Sequence, residues 1–548
     1  MLFTLHRYIF RELFRVFLLA AVGLTLILSL GSILQPVQEF GLGSRQVVHL
    51  MGYFLPITLT FVLPMAALFA GALVYGRFAS DNEYDACRAT GVSVLTLMYP
   101  GLALAIMVAI ANLILSFYVM PVFVHRAEES LKADAKQILF RNIQRKRYYA
   151  LPPDQKYLIY ADRADLASGT LSGVIVASMK DYTEIEEITT AELARIDFDP
   201  NDRFNEVHIL AYKPRTMGAE VEGQADWLPL TFEFSSLLGD DIKFKKIDEM
   251  KEIQADLIRF YPIEKLALDA YAQMTAELLA QDISGKLSGA GKKAELSSAT
   301  VEDTTGFYRL LGEPNSVEFT ADQCAIQGDR IELSGNVVVV ERDTDGDGPA
   351  KTLTCPKAWL SLEGDKRAPT LTMDLDRPEQ TGQELFMLRH IVRGLLPPEP
   401  VETAAHKLRT RNGELRPDKL AWELPELSGL EPSEALAGLQ HSLRRKIEKT
   451  LVEIKSEIHS RLVFGTGCVP MILIGIGLGI IKKGGHLLTA FGASCVPAAV
   501  LIVCIMSGKQ MIKNLDAASI LSGVAMMWAG LGFLCLVALV IYGRLLRH

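Results

Sequence analysis

The chain has 548 residues, of which 49% are hydrophobic and 22% are charged, and its mean hydropathy is +0.22. It is too apolar for an ordinary soluble protein and too charged to lie wholly in lipid, so we expect one membrane part and one soluble part. The formal net charge of -8 and the pI near 5.8 argue against a nucleic-acid binder, which presents a basic face.

Several apolar runs are long enough to cross a bilayer, which takes about 20 helical residues. They cover residues 16–34, 52–75, 95–120, 462–481, 487–507 and 520–542. The first run lacks a small-residue cleavage site and is followed by further runs, which indicates a retained helix rather than a signal peptide. The predicted fold class is a membrane α-helical protein of six transmembrane helices, three before and three after a large insert.

Basic residues predict the orientation, because Lys and Arg favour the cytoplasmic side. One side of the membrane holds Arg7, Arg11, Arg15, Arg77, Arg88, Lys482, Lys483, Arg544 and Arg547, whereas the opposite short loops hold Arg45, Lys509 and Lys513. We therefore predict that both termini are cytoplasmic and that the insert, residues 121–460, lies outside the cytoplasm.

The six apolar runs contain no Asp, Glu, Lys, Arg or His. A charge at the bilayer centre costs roughly 3 kcal/mol or more, and ion-coupled transporters usually keep a few such charges there as working residues. The sequence therefore argues against an ion-coupled lipid carrier.

A short charged helix is predicted between the second and third runs, at residues 80–91. Ser80 followed by Glu83 has the spacing of a capping box, and Gly91 can take the left-handed conformation that ends a helix. On a helical wheel, Asp81, Asp85 and Arg88 form a charged strip. Another face carries Tyr84, Cys87 and Gly91 and forms an apolar strip. Such an element can transmit force from a soluble partner.

The residues of this region also carry a family resemblance. The segments that carry it are Leu63-Pro64, Gly76-Arg77, Ser80-Asp81-Asn82-Glu83 and Arg88-Ala89-Thr90-Gly91-Val92-Ser93. They resemble the second span and coupling helix of the LptF/LptG permeases, the membrane subunits of the ATP-driven lipopolysaccharide exporter. Further similar segments are Arg7-Tyr8 with Arg11-Glu12-Leu13 at the start and Glu457-Ile458-His459-Ser460-Arg461 before the fourth span.

The resemblance implies a non-catalytic permease that extracts lipopolysaccharide or a related glycolipid and passes it to a periplasmic β-jelly-roll bridge. It implies an LptB-like ATPase dimer, a second LptF/LptG-like permease and an LptC/LptA-like bridge as partners, and no cofactor. The implied ATPase-coupling residues are Ser80, Glu83, Tyr84, Cys87, Arg88 and Gly91. For Glu83, a cap alone and a contact with the ATPase both stay open, and Arg88 is either an ordinary juxtamembrane charge or an interface residue.

The insert begins with short β-rich runs that predict a jelly roll or a sandwich. They cover residues 148–151, 156–161, 171–177, 191–198, 206–212 and 228–234. Their position resembles the periplasmic β-jelly roll of the family. In the second run, Tyr157 and Ile159 share one face and Leu158 and Tyr160 the other, so the inward face is expected to line an apolar trough for lipid.

The rest of the insert divides into several predicted parts. Residues 242–280 read as helical, 281–306 as a flexible linker, 395–432 as a connector, and the stretch from Leu436 as an amphipathic helix leading into the fourth span. Strands near residues 316–374 include a run, 328–337, that resembles an LptA/LptC (OstA-like) repeat. The predicted domains are 1–120 with the coupling helix 80–91, 121–240, 241–306, 307–385, 386–460 and 461–548.

Other candidate site residues lie near the outer membrane face and in the insert. Arg45, Lys509 and Lys513 either snorkel at the interface or contact the phosphates of an anionic glycolipid. Cys324 and Cys355 are expected to form a disulfide, because they lie in the part placed in an oxidising compartment and on predicted neighbouring strands.

Two motifs that suggest ligand sites have simpler readings. The stretch 343–348 copies half an EF-hand loop but has Thr354 where the final Glu is due, so a hairpin turn is predicted. The stretch 289–293 lacks the spacing of a phosphate loop. With no metal-type or catalytic pattern either, the rival to a permease is a non-transporting membrane scaffold for periplasmic partners.

Overall fold

The computed structural model describes residues 2–40, 44–133, 135–150, 157–181, 184–200, 205–218, 222–224, 227–234, 241–294, 307–312, 315–327, 330–343, 350–363, 370–380, 389–410, 413–424, 432–481 and 487–547. Its α-helices are α1 (Leu2–Phe40), α2 (Ser44–Ser80), α3 (Glu83–Ala89), α4 (Val94–Ile114), α5 (Met120–Ala133), α6 (Ala135–Lys146), α7 (Ile247–Ala255), α8 (Tyr261–Ala294), α9 (Glu399–Lys407), α10 (Pro417–Trp422), α11 (Glu434–Ile481), α12 (Leu487–Ile512) and α13 (Ala517–Arg547). A π-helix, Leu115–Val119, joins α4 to α5.

The strands fall into two groups along the chain. The first group is β1 (Tyr148–Ala150), β2 (Tyr157–Asp165), β3 (Thr170–Asp181), β4 (Glu184–Pro200), β5 (Asn205–Tyr212), β6 (Arg215–Gly218), β7 (Glu222–Gln224) and β8 (Trp227–Phe234). The second is β9 (Tyr308–Leu310), β10 (Asn315–Thr320), β11 (Gln323–Gln327), β12 (Arg330–Asp343), β13 (Lys351–Glu363), β14 (Thr370–Asp376), β15 (Glu379–Gln380) and β16 (Arg389–Leu395).

Five described helical segments are long and apolar enough to cross a membrane. They are Phe3–Gly31, Met51–Ser80, Val94–Ser130, Glu434–Ile481 and Ala517–Leu546, and they correspond to five of the six predicted spans. The sixth, predicted at 487–507, lies in α12, where Val496–Ile512 forms a shorter apolar helix. These helices share one buried apolar core that includes Leu13, Leu68, Leu97, Ile472, Leu501 and Leu534.

The chain forms two compact units, and the first consists of Met1–Lys251 and Thr450–His548. It holds the membrane helices and an antiparallel sheet of order β1-β2-β3-β4-β5-β8, with β6 on β4 and β7 on β6. Alternation along β2 buries Ile159 and Ala161 on one face. Helix α6 covers that face with Leu139, Phe140 and Ile143, all at most 1% exposed.

The second unit, Glu252–Lys449, is built on the other antiparallel sheet. Its order is β16-β14-β13-β12-β10-β9, with β11 on β12 and β15 on β13. Leu279 and Ile283 of α8 pack into the core of this sheet. Strands β12 and β13 pair antiparallel up to Glu341 and Lys351, which confirms the hairpin predicted there. The turn itself lies outside the described residues.

The flexible linker predicted at 281–306 is wrong over its first half, because α8 continues to Ala294. The composition of this stretch is poor in helix-specific signals, but Ile283 is fully buried and Leu287 packs against the core of the second sheet. Tertiary packing therefore stabilises a helix that local composition does not favour. Residues 295–306 lie outside the described chain.

The predicted disulfide between Cys324 and Cys355 is also wrong, since both thiols are free. Cys324 lies opposite Leu333 and Cys355 opposite Val337, so both strands pair with β12, on its two sides. Two strand spacings of about 4.8 Å exceed the Cα separation of about 7 Å that a disulfide can bridge. Burial raises the pKa of both thiols, that of Cys355 to about 11, so neither is a ready thiolate at neutral pH.

Candidate functional site

The short charged helix exists, but it begins at Glu83 and not at a Ser80 cap. Ser80 is the last residue of α2, and its Oγ donates to Asp81 Oδ1 at 3.4 Å. Asn82 stands at the cap position with φ of 59° and no side-chain cap bond. The predicted capping box is therefore wrong, because a two-residue connection leaves Ser80 inside the preceding helix.

The end of α3 confirms the prediction made for Gly91, which has φ of +86°. The Val92 amide donates to Cys87 O at 3.2 Å and the Gly91 amide to Arg88 O at 2.9 Å. This bond pair is the Schellman arrangement, which needs a left-handed residue where Gly91 lies. Ser93 Oγ then accepts the Thr96 amide at 3.2 Å and caps α4.

Helix α3 docks on the membrane helices through its apolar strip. Tyr84 is 3% exposed and belongs to the apolar core, and half-buried Cys87 packs against it. Burial raises the pKa of the Tyr84 phenol. The other predicted coupling residues, Ser80, Glu83, Arg88 and Gly91, are exposed. Of the six, the structure thus leaves four on the surface and uses two for docking.

A cleft of about 280 Å³ lies beside α3. It is lined by Tyr8, Ile9 and Glu12 of α1, by residues 73–75, Arg77 and Phe78 of α2, and by Asp81 and Glu83. Three carboxylates against one guanidinium give this lining an acidic balance. A basic side chain of a partner would therefore be favoured here over an acidic one.

On the opposite side of the membrane region, Lys509 is held in a charged group with Glu457 and Arg461. Lys509 Nζ donates to Glu457 Oε2 at 2.6 Å, and Arg461 Nε donates to Glu457 Oε1 at 3.0 Å. The side chains of Glu457 and Arg461 are 13% and 4% exposed, and that of Lys509 is 34% exposed. Lys509 is thus neither simply snorkelling nor free to bind phosphate without competition from Glu457.

The remaining Arg461 donors bind backbone oxygens. Nη1 donates to Ser116 O at 2.9 Å and to Lys245 O at 3.2 Å, and Nη2 donates to Lys243 O at 2.7 Å. Sequence reasoning used Glu457 and Arg461 only as a resemblance and missed this role. Opposite charges at i and i+4 directly before an uncharged span were the signal that could have revealed it.

The other lipid-binding candidates are placed less closely. Lys513 is exposed at the end of α12, whereas the side chain of Arg45 lies outside the described residues. In the first sheet, Ile159 is fully buried and Tyr157 packs at the edge of the same cluster. Leu158 and Tyr160, on the opposite face, are half-buried. The described residues hold no group of three or more His, Cys, Asp or Glu suited to a metal ion.

Comparison with known proteins gives one family. The family model for the lipopolysaccharide export system permease LptF/LptG matches residues 7–231, which include most of α1, all of α2 to α6 and most of the first sheet. No protein of curated function matches the chain.

Proposed function

We propose that the chain, whose residues 7–231 match the family model of the lipopolysaccharide export system permease LptF/LptG, is an inner-membrane transport subunit of a lipopolysaccharide export complex. We propose a six-pass topology with both termini cytoplasmic and the insert in the periplasm. Its partners would be an LptB-like ATPase dimer, which hydrolyses ATP, a second LptF/LptG-like permease and an LptC/LptA-like bridge. The substrate would be lipopolysaccharide or a related glycolipid.

The observation that carries the proposal is the docking of α3. Tyr84 fixes this seven-residue helix to the membrane core while Glu83 and Arg88 stay exposed. A partner that binds the exposed side and the acidic cleft would move α3 as a lever, because the helix is joined to α2 and α4 by very short connections. A non-transporting scaffold has no need of such a lever.

The lipid path is proposed to lead from the first and fifth spans to the interior of the first sheet. Acyl chains need a continuous apolar surface, because each exposed methylene costs about 0.8 kcal/mol. The face with Ile159 supplies apolar side chains, but Leu139, Phe140 and Ile143 cover it. We therefore propose that α6 shifts when lipid enters. The second sheet, with its OstA-like run, would extend the bridge.

The coupling role is tested with Glu83→Lys, which reverses a charge in the cleft lining, and Gly91→Val, which strains the end of α3. Both variants should insert normally but lose ATPase co-purification in mild detergent and lipid export. The matched control is Glu187→Lys, an exposed carboxylate on β4, which should behave like the wild type. Full ATPase association and export in the first two variants would disprove the coupling role.

The lipid path is tested with a photo-crosslinking residue at position 157 or 159, and separately at 158 or 160. Glycolipid should be captured from the first pair only, and only during ATP turnover, since the two pairs lie on opposite faces of β2. Equal capture from both faces, or none beside an active ATPase, would exclude the first sheet as the conduit.

A further inference from the structure

We infer that Glu457, Arg461 and Lys509 form a positioning group that holds the outer end of α12 in place and releases it during transport. Helix α12 carries the predicted fifth span, so the inference rests on the proposed function and assigns it a control point. None of the three residues touches the proposed α3 lever.

Arg461 is the fixed part of the group. Its side chain is 4% exposed, and burying a charge is strongly unfavourable unless it is paired and hydrogen-bonded. Here the guanidinium has Glu457 as its anion and donates to three carbonyls, those of Ser116, Lys243 and Lys245. The planar guanidinium directs its donors to several sides and can bind these separate acceptors at the same time, which the ammonium group of a lysine could not do.

The carbonyl of Ser116 lies in the π-helix that interrupts the third apolar segment. π-Helical turns inside α-helices occur often at functional sites, because they displace the regular hydrogen bonds of the backbone. The Phe117 ring of the same turn lies 5.6 Å from the Arg461 guanidinium carbon. Arg461 therefore ties α11 to an irregular turn of the neighbouring helix and to the chain that follows the first sheet.

Lys509 is the releasable part. It is attached by its bond to Glu457, and its side chain is 34% exposed. When Lys509 leaves, Glu457 remains paired with Arg461, so the buried carboxylate still has a positively charged partner. The asymmetry lets α12 detach without disturbing the Arg461 contacts.

Helix α12 is packed against the membrane core on one side. One stripe, with Leu501, Ile505 and Ile512, is buried in the membrane core. The other, with Val496, Val503 and Met506, is at least 60% exposed. The ion pair between Lys509 and Glu457 therefore adds to the restraint that the buried stripe provides at this end of α12.

Lys509→Ala tests the group in the full-length chain with its co-purified ATPase. We expect amide exchange at residues 505–512 to become about tenfold faster, as for the loss of one charge-assisted hydrogen bond. We also expect more ATP to be hydrolysed per lipid exported. Lys509→Arg should restore both values, and Gln510→Ala, which changes the exposed neighbouring residue, should leave both unchanged.

Arg461→Ala is a poorer test, because it strands Glu457 and can prevent folding. If Lys509→Ala leaves exchange unchanged, the group does not restrain α12 and the inference is overturned. Faster exchange with an unchanged ATP-to-lipid ratio would reduce the group to a structural tether and would also overturn it. A wild-type complex that exports no lipid would instead contradict the proposed function, while the exchange result would still report on the restraint.

Discussion

The two sheets of this protein are alike in pattern but differ in what covers them. Each is antiparallel and has its apolar face packed against a helix, α6 for the first sheet and α8 for the second. Helix α6 follows α5 in direct continuation of a membrane segment, whereas α8 belongs wholly to the second unit. The cover of the first sheet thus lies in the same unit as the membrane helices.

The outer faces differ as well. On the first sheet, Leu193 lies opposite Tyr212, and Tyr212 opposite Trp227, in one cross-strand row. These three side chains are 38%, 40% and 62% exposed. On the second sheet, charged pairs such as Lys357 with Glu332 cross the outer face. At these positions the first sheet exposes a row of apolar side chains, whereas the second sheet carries an ion pair.

The largest effect is expected from truncating a helix cover. Ile143→Ala in α6 and Ile283→Ala in α8 remove the same fully buried side chain, and each should destabilise its own sheet by about 2–5 kcal/mol. Region-resolved hydrogen exchange measures this. Exposed Ile175→Ala is the control. A loss of protection in both sheets from either variant would contradict the division into two units.

Tyr308→Phe should destabilise only the second sheet. The Tyr308 hydroxyl donates to Asp282 Oδ2 at 2.5 Å, and burial raises the pKa of this phenol. Loss of a hydrogen bond to a charged group costs about 1.5–3 kcal/mol. Tyr212→Phe in the first sheet, where the side chain is 40% exposed, should change protection little. Equal losses of protection in the two variants would contradict the expected difference between the two tyrosines.

A glycine with positive φ faces an aspartate in each sheet, and the two should respond differently to alanine. A Cβ at Gly335, φ +100°, would lie 2.5 Å from Asp322 Cβ, and one at Gly173, φ +62°, would lie 2.2 Å from Asp162 Oδ2. Gly335→Ala should cost about 1–3 kcal/mol. Gly173→Ala should cost less, because the carboxylate end of Asp162 can swing away. Proteolytic resistance of each region ranks the two, and the reverse order would refute this reading.

The smallest effect is a pH dependence confined to the second sheet. The hydrogen bond from His390 Nε2 to Glu341 Oε2, 3.1 Å, is the main cause that lowers the pKa of Glu341 from 4.5. A lowered pKa stabilises the fold above the ordinary value, and this stabilisation is lost as the pH falls through the folded pKa. Protection should therefore drop below about pH 4.5 in the wild type. Glu341→Gln should flatten that drop, and an equally steep profile would exclude Glu341 as its source.

Local signals predicted what depends on neighbouring residues in the chain. Gly91 ends α3 as expected, because this way of ending a helix needs a left-handed residue at that position, whatever the rest of the fold is. The predicted capping box was wrong although its spacing was right, since Ser80 is the last residue of α2. The linker failed for a related reason, because burial of Ile283 outweighed a composition poor in helix signals.

The candidate site divides in the same way. The sequence marked Glu83, Arg88 and Lys509 as charged residues at the membrane boundary. It did not reveal that Lys509 is bound by Glu457, because the two are separated by 52 residues that include two apolar runs and the loop between them. The predicted disulfide between Cys324 and Cys355 was wrong too, since the spacing of cysteines in the sequence does not determine the order of the strands in the sheet.

The sequence by itself determined the apolar spans, the short helix between two of them and the alternation that makes the insert β-rich. These follow from periodicity, which acts over a few residues. Only the tertiary structure decided that Ile159 faces inward beneath α6 and that Arg461 binds the carbonyls of Ser116, Lys243 and Lys245. Such contacts join residues far apart in the chain, and they form because a buried charge or apolar face must find a partner wherever the fold supplies one.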